Sequence, residues 1–480
     1  MKRSTRMNWL TPAVGIAVWL SVVAGPLIQN APAFGDQADR DLWPLRVSDD
    51  GRCFTLADGS PFFPVIDTVW MLSYLASKDV DLYLEHRPAK GFNAVYVSLA
   101  GVERLPAGLN SPNYRGHRPF AQNAAGPDTT RPNPAFFEDF KPALRKLREH
   151  KQSVFLVVGW ASQWQQSFTR ESYVRYVEFV LDQFPADEFP HIVWCLGGDK
   201  GMFMQKDLDK PMQIEAGRQL RRLMDARGDR RLIGDHPGRG SSVINYSAEE
   251  AAGWLDFYTV QSGHRGPTQD VADWVRQVYE RRPAKPVFNG EPLYESHNPG
   301  VENADVRYAH WVSVFSGACG VGYGCQGFWG IGVDVPEKRS RPGHSGAWWK
   351  EHLDDQPVAN QMIHVAALNN AYPFRLATPD YAGSCPLIAR RGEGADYVAA
   401  LVAQDRRWAL VYIPHARTEA AEIRLDLFAS PVRSRWFDPT SGQFTEPRPQ
   451  LPNAGTSVLP IPGKNKAGQR DWVLVLGEAE

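Results

Sequence analysis

Two acidic residues directly follow short apolar segments and could act together in acid–base chemistry. Asp199 ends the segment IVWCLGGD at 192–199, after two glycines that let the backbone approach a ligand closely, and Glu291 lies in KPVFNGEP at 285–292. If both segments are strands of one barrel, both carboxylates lie at its C-terminal mouth. One acid could protonate a glycosidic oxygen while the other attacks the anomeric carbon or activates water. The spacing also fits a simpler alternative, in which each acid caps a loop or pairs with an arginine.

Polar and aromatic side chains at the ends of the other predicted strands could bind a sugar. Trp70 and Trp160 could stack on a sugar ring, and Tyr294 follows Glu291 closely enough to orient its carboxylate. The other candidates could hydrogen-bond to sugar hydroxyls or to a catalytic carboxylate, although loop capping or an ordinary structural role stays open for them. The candidate substrate-binding residues are Asp67, Trp70, Trp160, Gln163, His236, Gln261, His264, Tyr294, Tyr323, Gln326 and Trp329.

No sequence motif indicates a cofactor or a metal. Residues 322–327 formally match GxGxxG, but no capped helix follows them, so we do not interpret them as a nucleotide site. The sequence contains no GxxxxGK[ST], HExxH or GxSxG motif, and no two histidines separated by a single residue. The predicted reaction therefore requires neither a cofactor nor a metal.

Eight short apolar segments must position these side chains. They are rich in β-branched and aromatic residues, and several lack a two-residue alternation, which is typical of strands buried on both faces. Helical patterns lie between them, so the sequence predicts an α/β fold of the (β/α)8 TIM-barrel type, with an open doubly wound sheet as the alternative. The predicted strands lie within 62–68, 92–99, 153–160, 192–199, 231–237, 257–263, 285–292 and 320–329.

Capping residues mark the ends of several predicted helices. Asn133 precedes a proline at the first helical position, and Thr169 and Asp270 are the predicted N-caps of two further helices. Gly228 ends a fourth helix lined by Ile214, Leu220, Leu223 and Met224.

The chain changes character near residue 380. Four strand-like segments follow, separated by Gly, Pro and Asp turns and without a helical stripe, which predicts a small antiparallel β-sandwich. The predicted domains are a signal peptide at 1–33, a catalytic barrel at 34–378 and a sandwich at 379–480.

The composition is that of an ordinary globular protein. The chain has 480 residues, 43% of them hydrophobic and 22% charged, which suffices for a full core and excludes disorder as the main state. The formal net charge of −1 provides no basic field for nucleic acid or an anionic membrane. The 16 Trp, 16 Tyr and 23 Phe fit a sugar-stacking surface, but they fit a large aromatic core equally well.

The N-terminus resembles an export signal. Lys2, Arg3 and Arg6 precede an apolar run from Trp9 to Ile28, and a small-residue cleavage site follows at 31–33. We therefore expect an exported protein that is periplasmic, cell-surface or extracellular. An uncleaved membrane anchor is the alternative, because the apolar run is long. The odd count of five cysteines argues against a disulfide scaffold.

Several long segments, in the same order, resemble the apiosidase-like family of glycoside hydrolases. They are PFFPVIDTVW, YLEHRPAKGFNAV, IVWCLGGDKG, WLDFYTVQSGHR, KPVFNGEPLYE, DVRYAHWVSVFSGACG and YGCQGFW, and the resemblance extends over about 45–475, including a C-terminal sandwich of the collagen-binding type. It implies a (β/α)8 barrel and a retaining mechanism, with Asp199 at the acid/base position and Glu291 at the nucleophile position.

The resemblance leaves the substrate open. The best-known activity in the family is removal of apiose from branched side chains of pectin. At strand eight the family often has His before Thr-Tyr-Gly, where this sequence has Val321-Gly322-Tyr323-Gly324-Cys325-Gln326. We expect an oligo- or polysaccharide of plant or algal type as the substrate. The alternatives are a non-catalytic glycan-binding protein and a matrix adhesin; the presence of both acids favours the enzyme.

Overall fold

A three-stranded antiparallel meander begins the described part of the chain and closes one end of the fold. The computed structural model describes residues 42–101, 108–160, 167–200, 206–241, 246–331, 348–382, 387–388, 390–418 and 420–478. The meander pairs three short strands in chain order. They are β1 (Arg46–Val47), β2 (Phe54–Thr55) and β3 (Pro61–Phe62).

Eight parallel strands form the nearly closed barrel that the sequence predicts. Their hydrogen-bonded order is β10-β9-β8-β5-β4-β14-β13-β12, with β11 antiparallel at the edge and β6 and β7 forming a separate hairpin. The strands are β4 (Val65–Thr68), β5 (Ala94–Ser98), β6 (Phe120–Asn123), β7 (Gly126–Pro132), β8 (Ser153–Val157), β9 (Ile192–Lys200), β10 (Ile233–Pro237), β11 (Gly240–Ser241), β12 (Tyr258–Gln261), β13 (Val287–Asn289) and β14 (Val321–Tyr323). Asp256 bridges the seam before β12, because its amide donates to the Ile233 carbonyl at 2.8 Å.

Aromatic layers fill the barrel and lead towards its C-terminal mouth. Phe54 of β2 lies against Phe155, Phe257 and Phe288 at the bottom, with ring centroids 5.3–6.3 Å apart. Tyr96 stacks on Phe155 above them at 5.8 Å. This filling by bulky side chains is typical of a barrel interior that is a packed core rather than a pore.

Helices surround the barrel, and two of the predicted caps are present. The Asn133 side chain accepts from the Ala135 amide, and Thr169 forms a capping box with Ser172. The prediction for Asp270 was wrong: Gln269 is the N-cap residue, and Asp270 begins the helix and contacts Arg239 instead. The helices are α1 (Ser77–His86), α2 (Pro134–Glu138), α3 (Lys141–Glu149), α4 (Arg170–Gln183), α5 (Lys206–Ala226), α6 (Ala248–Ala251), α7 (Asp270–Tyr279), α8 (Asn303–Phe315), α9 (Trp348–Glu351) and α10 (Pro357–Ala371). None of them is long and apolar enough to cross a membrane.

The C-terminal region consists of antiparallel sheets, as predicted. A five-stranded sheet has the order β15-β16-β17-β21-β19, and β18 pairs with β20. The strands are β15 (Ala377–Pro379), β16 (Ala399–Ala403), β17 (Trp408–Ile413), β18 (Ala421–Arg424), β19 (Ser434–Phe437), β20 (Thr456–Leu459) and β21 (Trp472–Gly477).

The larger sheet packs one face on the barrel. Leu410, Tyr412 and Val473 belong to the same buried cluster as the barrel core, whereas Val411 and Leu474, on the opposite face, belong to a cluster inside the C-terminal region. This is the two-residue alternation of a sheet buried on both sides.

Candidate active site

A bulge at the end of β9 turns Asp199 towards the barrel axis. Three consecutive residues have a left-handed backbone: Gly197 (φ 99°), Gly198 (φ 117°) and Asp199 (φ 49°). The pairing with β10 skips two residues here, since His236 is opposite Gly197 and Pro237 is opposite Lys200. Such strain is held in place only by its surroundings and is frequent at functional sites.

Glu291 follows β13, where the neighbouring side chains hold the backbone. The Asn289 amide donates to the hydroxyls of Ser262 and Ser313, both at 2.9 Å. A Cβ on Gly290 would lie 2.8 Å from Thr259 Cγ2, so the chain approaches β12 more closely than a side chain permits. This support sets the direction in which Glu291 leaves the strand.

The side-chain amide of Gln261 joins the two acids. Its Nε2 donates to Asp199 Oδ1 at 2.8 Å and to Glu291 Oε2 at 2.5 Å. One carboxylate oxygen of each acid and a ring nitrogen of His236 lie within 4.8 Å of one another. The structure therefore brings Asp199, Glu291, Gln261 and His236 together, all of them buried.

Two histidines also face the carboxylate of Glu291. His264 Nε2 lies 3.1 Å from Oε1, and His236 Nε2 lies 3.1 Å from Oε2 in a close contact without good hydrogen-bond alignment. Burial alone would raise the pKa of Glu291, but the contacts with His236 and His264 outweigh it and hold the pKa well below its usual range. Glu291 is therefore an ionised carboxylate at neutral pH.

Aromatic rings surround this group. Trp70 and Trp160 pack against the His236 ring at 5.0 and 5.2 Å and against each other at 4.7 Å, and each is 2% exposed. The Tyr294 ring lies 4.2 Å from that of His264. Their predicted part in binding a sugar stays a prediction; in this structure they enclose the two histidines.

Several buried polar atoms in this group make no hydrogen bond within the described residues. They are Gln261 Oε1, His264 Nδ1 and Trp160 Nε1. Native proteins seldom leave such atoms unpaired, so their concentration beside two carboxylates indicates a place for a polar ligand or water.

Asp67 and Tyr323 belong to a different network. Both carboxylate oxygens of Asp67 accept from the Arg87 guanidinium, at 2.7 and 3.0 Å, and Tyr83 donates to the same carboxylate at 2.6 Å. The Tyr323 hydroxyl donates to Glu295 at 2.7 Å. Asp67 thus forms a buried ion pair with Arg87, which needs a counter-charge because it is fully buried. The predicted contacts of Asp67 and Tyr323 with a sugar stay predictions.

The other predicted residues are placed as follows. Gln326 and Trp329 are buried after β14, where the main-chain N–H of Gln326 donates to the main-chain carbonyl of Glu295 at 2.9 Å. Gln163 lies outside the described residues. His297, which the sequence analysis missed, has its ring 4.2 Å from that of His264. Only its position shortly after Glu291 in the chain could have indicated it.

The group does not fit a resident metal ion. Asp199, His236 and Glu291 are close enough to share one ion. A metal-bound histidine normally donates its second ring N–H to an acceptor, whereas His236 Nδ1 accepts from the Asp199 amide at 3.3 Å. In addition, the Gln261 amide nitrogen, which is a donor, bridges the two carboxylates. We therefore assign no chemical step to a metal.

Comparison with known families identifies the family to which the chain belongs. The model of the family described as "Apiosidase-like, catalytic domain" matches residues 48–375. The chain belongs to the apiosidase-like family. It is thus a glycoside hydrolase that acts on a carbohydrate, and the resemblance seen in the sequence is confirmed. A second model, "Putative collagen-binding domain of a collagenase", matches residues 385–477.

Solved structures show the same fold. One, described as a glycoside hydrolase, has a TM-score of 0.73 at 22% identity and covers 91% of this chain and 97% of its own. Another structure, described as a glycoside hydrolase of family 5 from Bacteroides vulgatus ATCC 8482, has a TM-score of 0.73 at 23% identity. The match covers 90% of this chain and 93% of that one. No curated protein matches the chain.

Proposed function

We propose that this apiosidase-like enzyme is a retaining glycosidase in which Glu291 is the nucleophile and Asp199 the general acid/base. The observation that carries the proposal is the Gln261 bridge, with one oxygen of each carboxylate inside 4.8 Å. Retaining enzymes have carboxyl groups ~5–5.5 Å apart, whereas inverting enzymes need ~6.5–9.5 Å to fit a water molecule.

The surroundings of the two acids support this division of roles. Glu291 faces nitrogen atoms of Gln261, His236 and His264, which favour the ionised carboxylate that a nucleophile requires. Attack of this carboxylate on the anomeric carbon forms a glycosyl-enzyme while Asp199 gives its proton to the leaving oxygen. Asp199 then takes a proton from the water that hydrolyses the intermediate.

We further propose that the substrate is an oligo- or polysaccharide of plant or algal type. The unpaired polar atoms of Gln261, His264 and Trp160 support a ligand rich in hydroxyl groups. The basic segment and apolar run at residues 2–28 support export of the enzyme.

A stereochemical experiment tests the mechanism. The purified protein is screened against pectic and other plant or algal oligosaccharides, and the anomer first released from a cleaved substrate is followed by proton NMR. We expect the product to have the configuration of the substrate. Release of the opposite anomer would exclude a covalent intermediate on Glu291.

A further inference from the structure

His236 occupies a fixed position between the two acids. It lies on β10 without exposed surface, and its ring packs against Tyr96 at 5.3 Å as well as against Trp70 and Trp160. Since aromatic rings enclose it, its two ring nitrogens point in set directions. Nδ1 faces the backbone of Asp199 and Nε2 faces the side chain of Glu291.

The contact at Nδ1 determines where the ring carries its proton. The main-chain amide of Asp199 lies 3.3 Å from Nδ1 and can only donate, so Nδ1 must present its lone pair. A neutral imidazole that accepts at Nδ1 carries its hydrogen on Nε2. The left-handed turn of Gly197, Gly198 and Asp199 is what directs this amide towards the ring.

We propose that His236 is a positioning residue whose tautomer is fixed by the main-chain amide of Asp199, so that its Nε2 proton faces Glu291. This assignment rests on the proposed roles of the two acids. The main-chain amide of Asp199, the proposed acid/base residue, determines which ring nitrogen of His236 carries the proton. That nitrogen, Nε2, faces Glu291, the proposed nucleophile. The Nε2 proton of His236 then points towards the Glu291 carboxylate, so His236 positions this carboxylate rather than binding the sugar.

The charged and titratable groups that face Glu291 come from four parts of the barrel. They are Asp199 after the bulge of β9, His236 on β10, His264 after β12 and Tyr294 after Glu291 itself. A change at His236 should therefore alter the pH dependence of catalysis through Glu291, while the other three groups remain in place.

The tautomer can be measured directly on the full chain. The protein is labelled with ¹³C,¹⁵N-histidine, and the His236 signals are identified by their loss in His236→Gln. We expect the Nε2–H tautomer, because Nδ1 accepts from the Asp199 amide. Asp199→Asn should leave it unchanged, because the donor is the main chain. An Nδ1–H tautomer, or a protonated ring at neutral pH, would overturn the proposal even if the enzyme is a retaining glycosidase.

Two substitutions of His236 distinguish the contact made by Nε2 from the contact made by Nδ1 in activity measurements. In His236→Gln the amide nitrogen reaches the position of Nε2, whereas in His236→Asn the side chain ends at the position of Nδ1. We expect His236→Gln to keep most of kcat. His236→Asn should lose about 10–100-fold in kcat, with little change in KM, and the acid limb of its kcat/KM profile should move to higher pH.

Equal losses in both variants, with an unchanged pH profile, would mean that His236 only fills space. If the wild-type protein cleaves no glycoside, the proposed function fails, but the NMR result still decides the tautomer.

Discussion

At the scale of single residues, the two acids differ in what surrounds them. Glu291 is buried among three nitrogen atoms that face its carboxylate, whereas Asp199 stands on a strained turn and shares the Gln261 donor. Apart from the family resemblance, the sequence shows only two acids that each follow an apolar strand. Their surroundings support the different roles proposed for them, because the free energy of each protonation state depends on nearby charges and donors.

Replacing each acid by its amide should therefore have different effects. Glu291→Gln should remove activity on every substrate, because no glycosyl-enzyme can form. Asp199→Asn should lose ~10²–10⁴-fold on substrates with poor leaving groups but far less on aryl glycosides, whose phenolate leaves without a proton. Kinetics on both substrate types, with and without azide, measure this difference.

Azide should partly restore turnover of an aryl glycoside by Asp199→Asn, since it attacks the intermediate without a base. Glu280→Gln, at an exposed acid paired with Arg276, is the matched control. If both active-site variants lose activity equally and azide has no effect, the assignment of roles is wrong.

At the scale of elements, the bulge at the end of β9 sets the position of the Asp199 amide relative to His236. A Cβ on Gly197 would lie 2.6 Å from the His236 carbonyl oxygen, at a positive φ of 99°. Gly197→Ala should therefore displace β9 from β10 and move the Asp199 amide away from His236. We expect a fall in kcat well beyond tenfold and a loss of roughly 1–3 kcal/mol in the free energy of unfolding. Enzyme kinetics and urea unfolding measure the two effects.

Gly228 provides the matched control for this substitution. It also has a positive φ, 68°, but nothing lies within 4 Å of the Cβ position. Gly228→Ala should be destabilised by about 1 kcal/mol from backbone strain alone and should retain kcat. A comparable loss of kcat in both variants would show that strain, and not the displacement of the site, limits activity.

At the scale of the whole molecule, a buried ion pair joins the barrel to the C-terminal sheets. Arg307 of α8 donates to both oxygens of Asp471, at 2.7 and 2.8 Å, and neither side chain is more than 2% exposed. The adjoining Trp311 stacks on Tyr412 of β17. The C-terminal region is therefore part of the enzyme's core rather than a freely attached module.

Arg307→Met should leave a buried carboxylate without its counter-charge. We expect a loss of about 3–5 kcal/mol in the free energy of unfolding, measured by urea unfolding. The double variant with Asp471→Leu should recover part of this loss, because it removes both charges. Arg175→Ala, which breaks an exposed pair with Glu171, should cost at most about 1 kcal/mol. If Arg307→Met costs as little as this control, the ion pair does not hold the two parts together.

Acid should destabilise the fold through buried neutral histidines. Burial, assisted by the charge of Arg307, lowers the pKa of His310 to about 3, compared with ~6.5 in an unfolded chain. The unfolded state therefore binds more protons below pH ~6.5, and stability falls as the pH decreases from there towards the folded pKa. In His310→Phe, the dependence of the unfolding free energy on pH should be smaller, by up to about 1.4 kcal/mol per unit.

Urea unfolding at several pH values measures this slope. His150→Gln, at an exposed histidine after α3, is the control for removal of a histidine that is not buried. An unchanged slope in His310→Phe would show that other groups govern the acid response.

The eight strands, the C-terminal sheets and the family could be predicted from the residues, and so could the proximity of Asp199 and Glu291 at the barrel mouth. Apolar runs such as 153–157 and 192–196 can be recognised in the sequence, because a strand buried on both faces consists mainly of apolar residues. The parallel strands of a barrel place their C-terminal ends at one mouth. The partners of the individual polar side chains could not be predicted. Asp67 and Asp199 both end barrel strands, yet Asp67 faces Arg87 of the region after α1, and Asp199 faces Gln261 after a bulge. Such pairs join residues far apart in the chain, so only the packing of helices and the register of neighbouring strands decide which acid forms a buried ion pair and which lies beside Glu291.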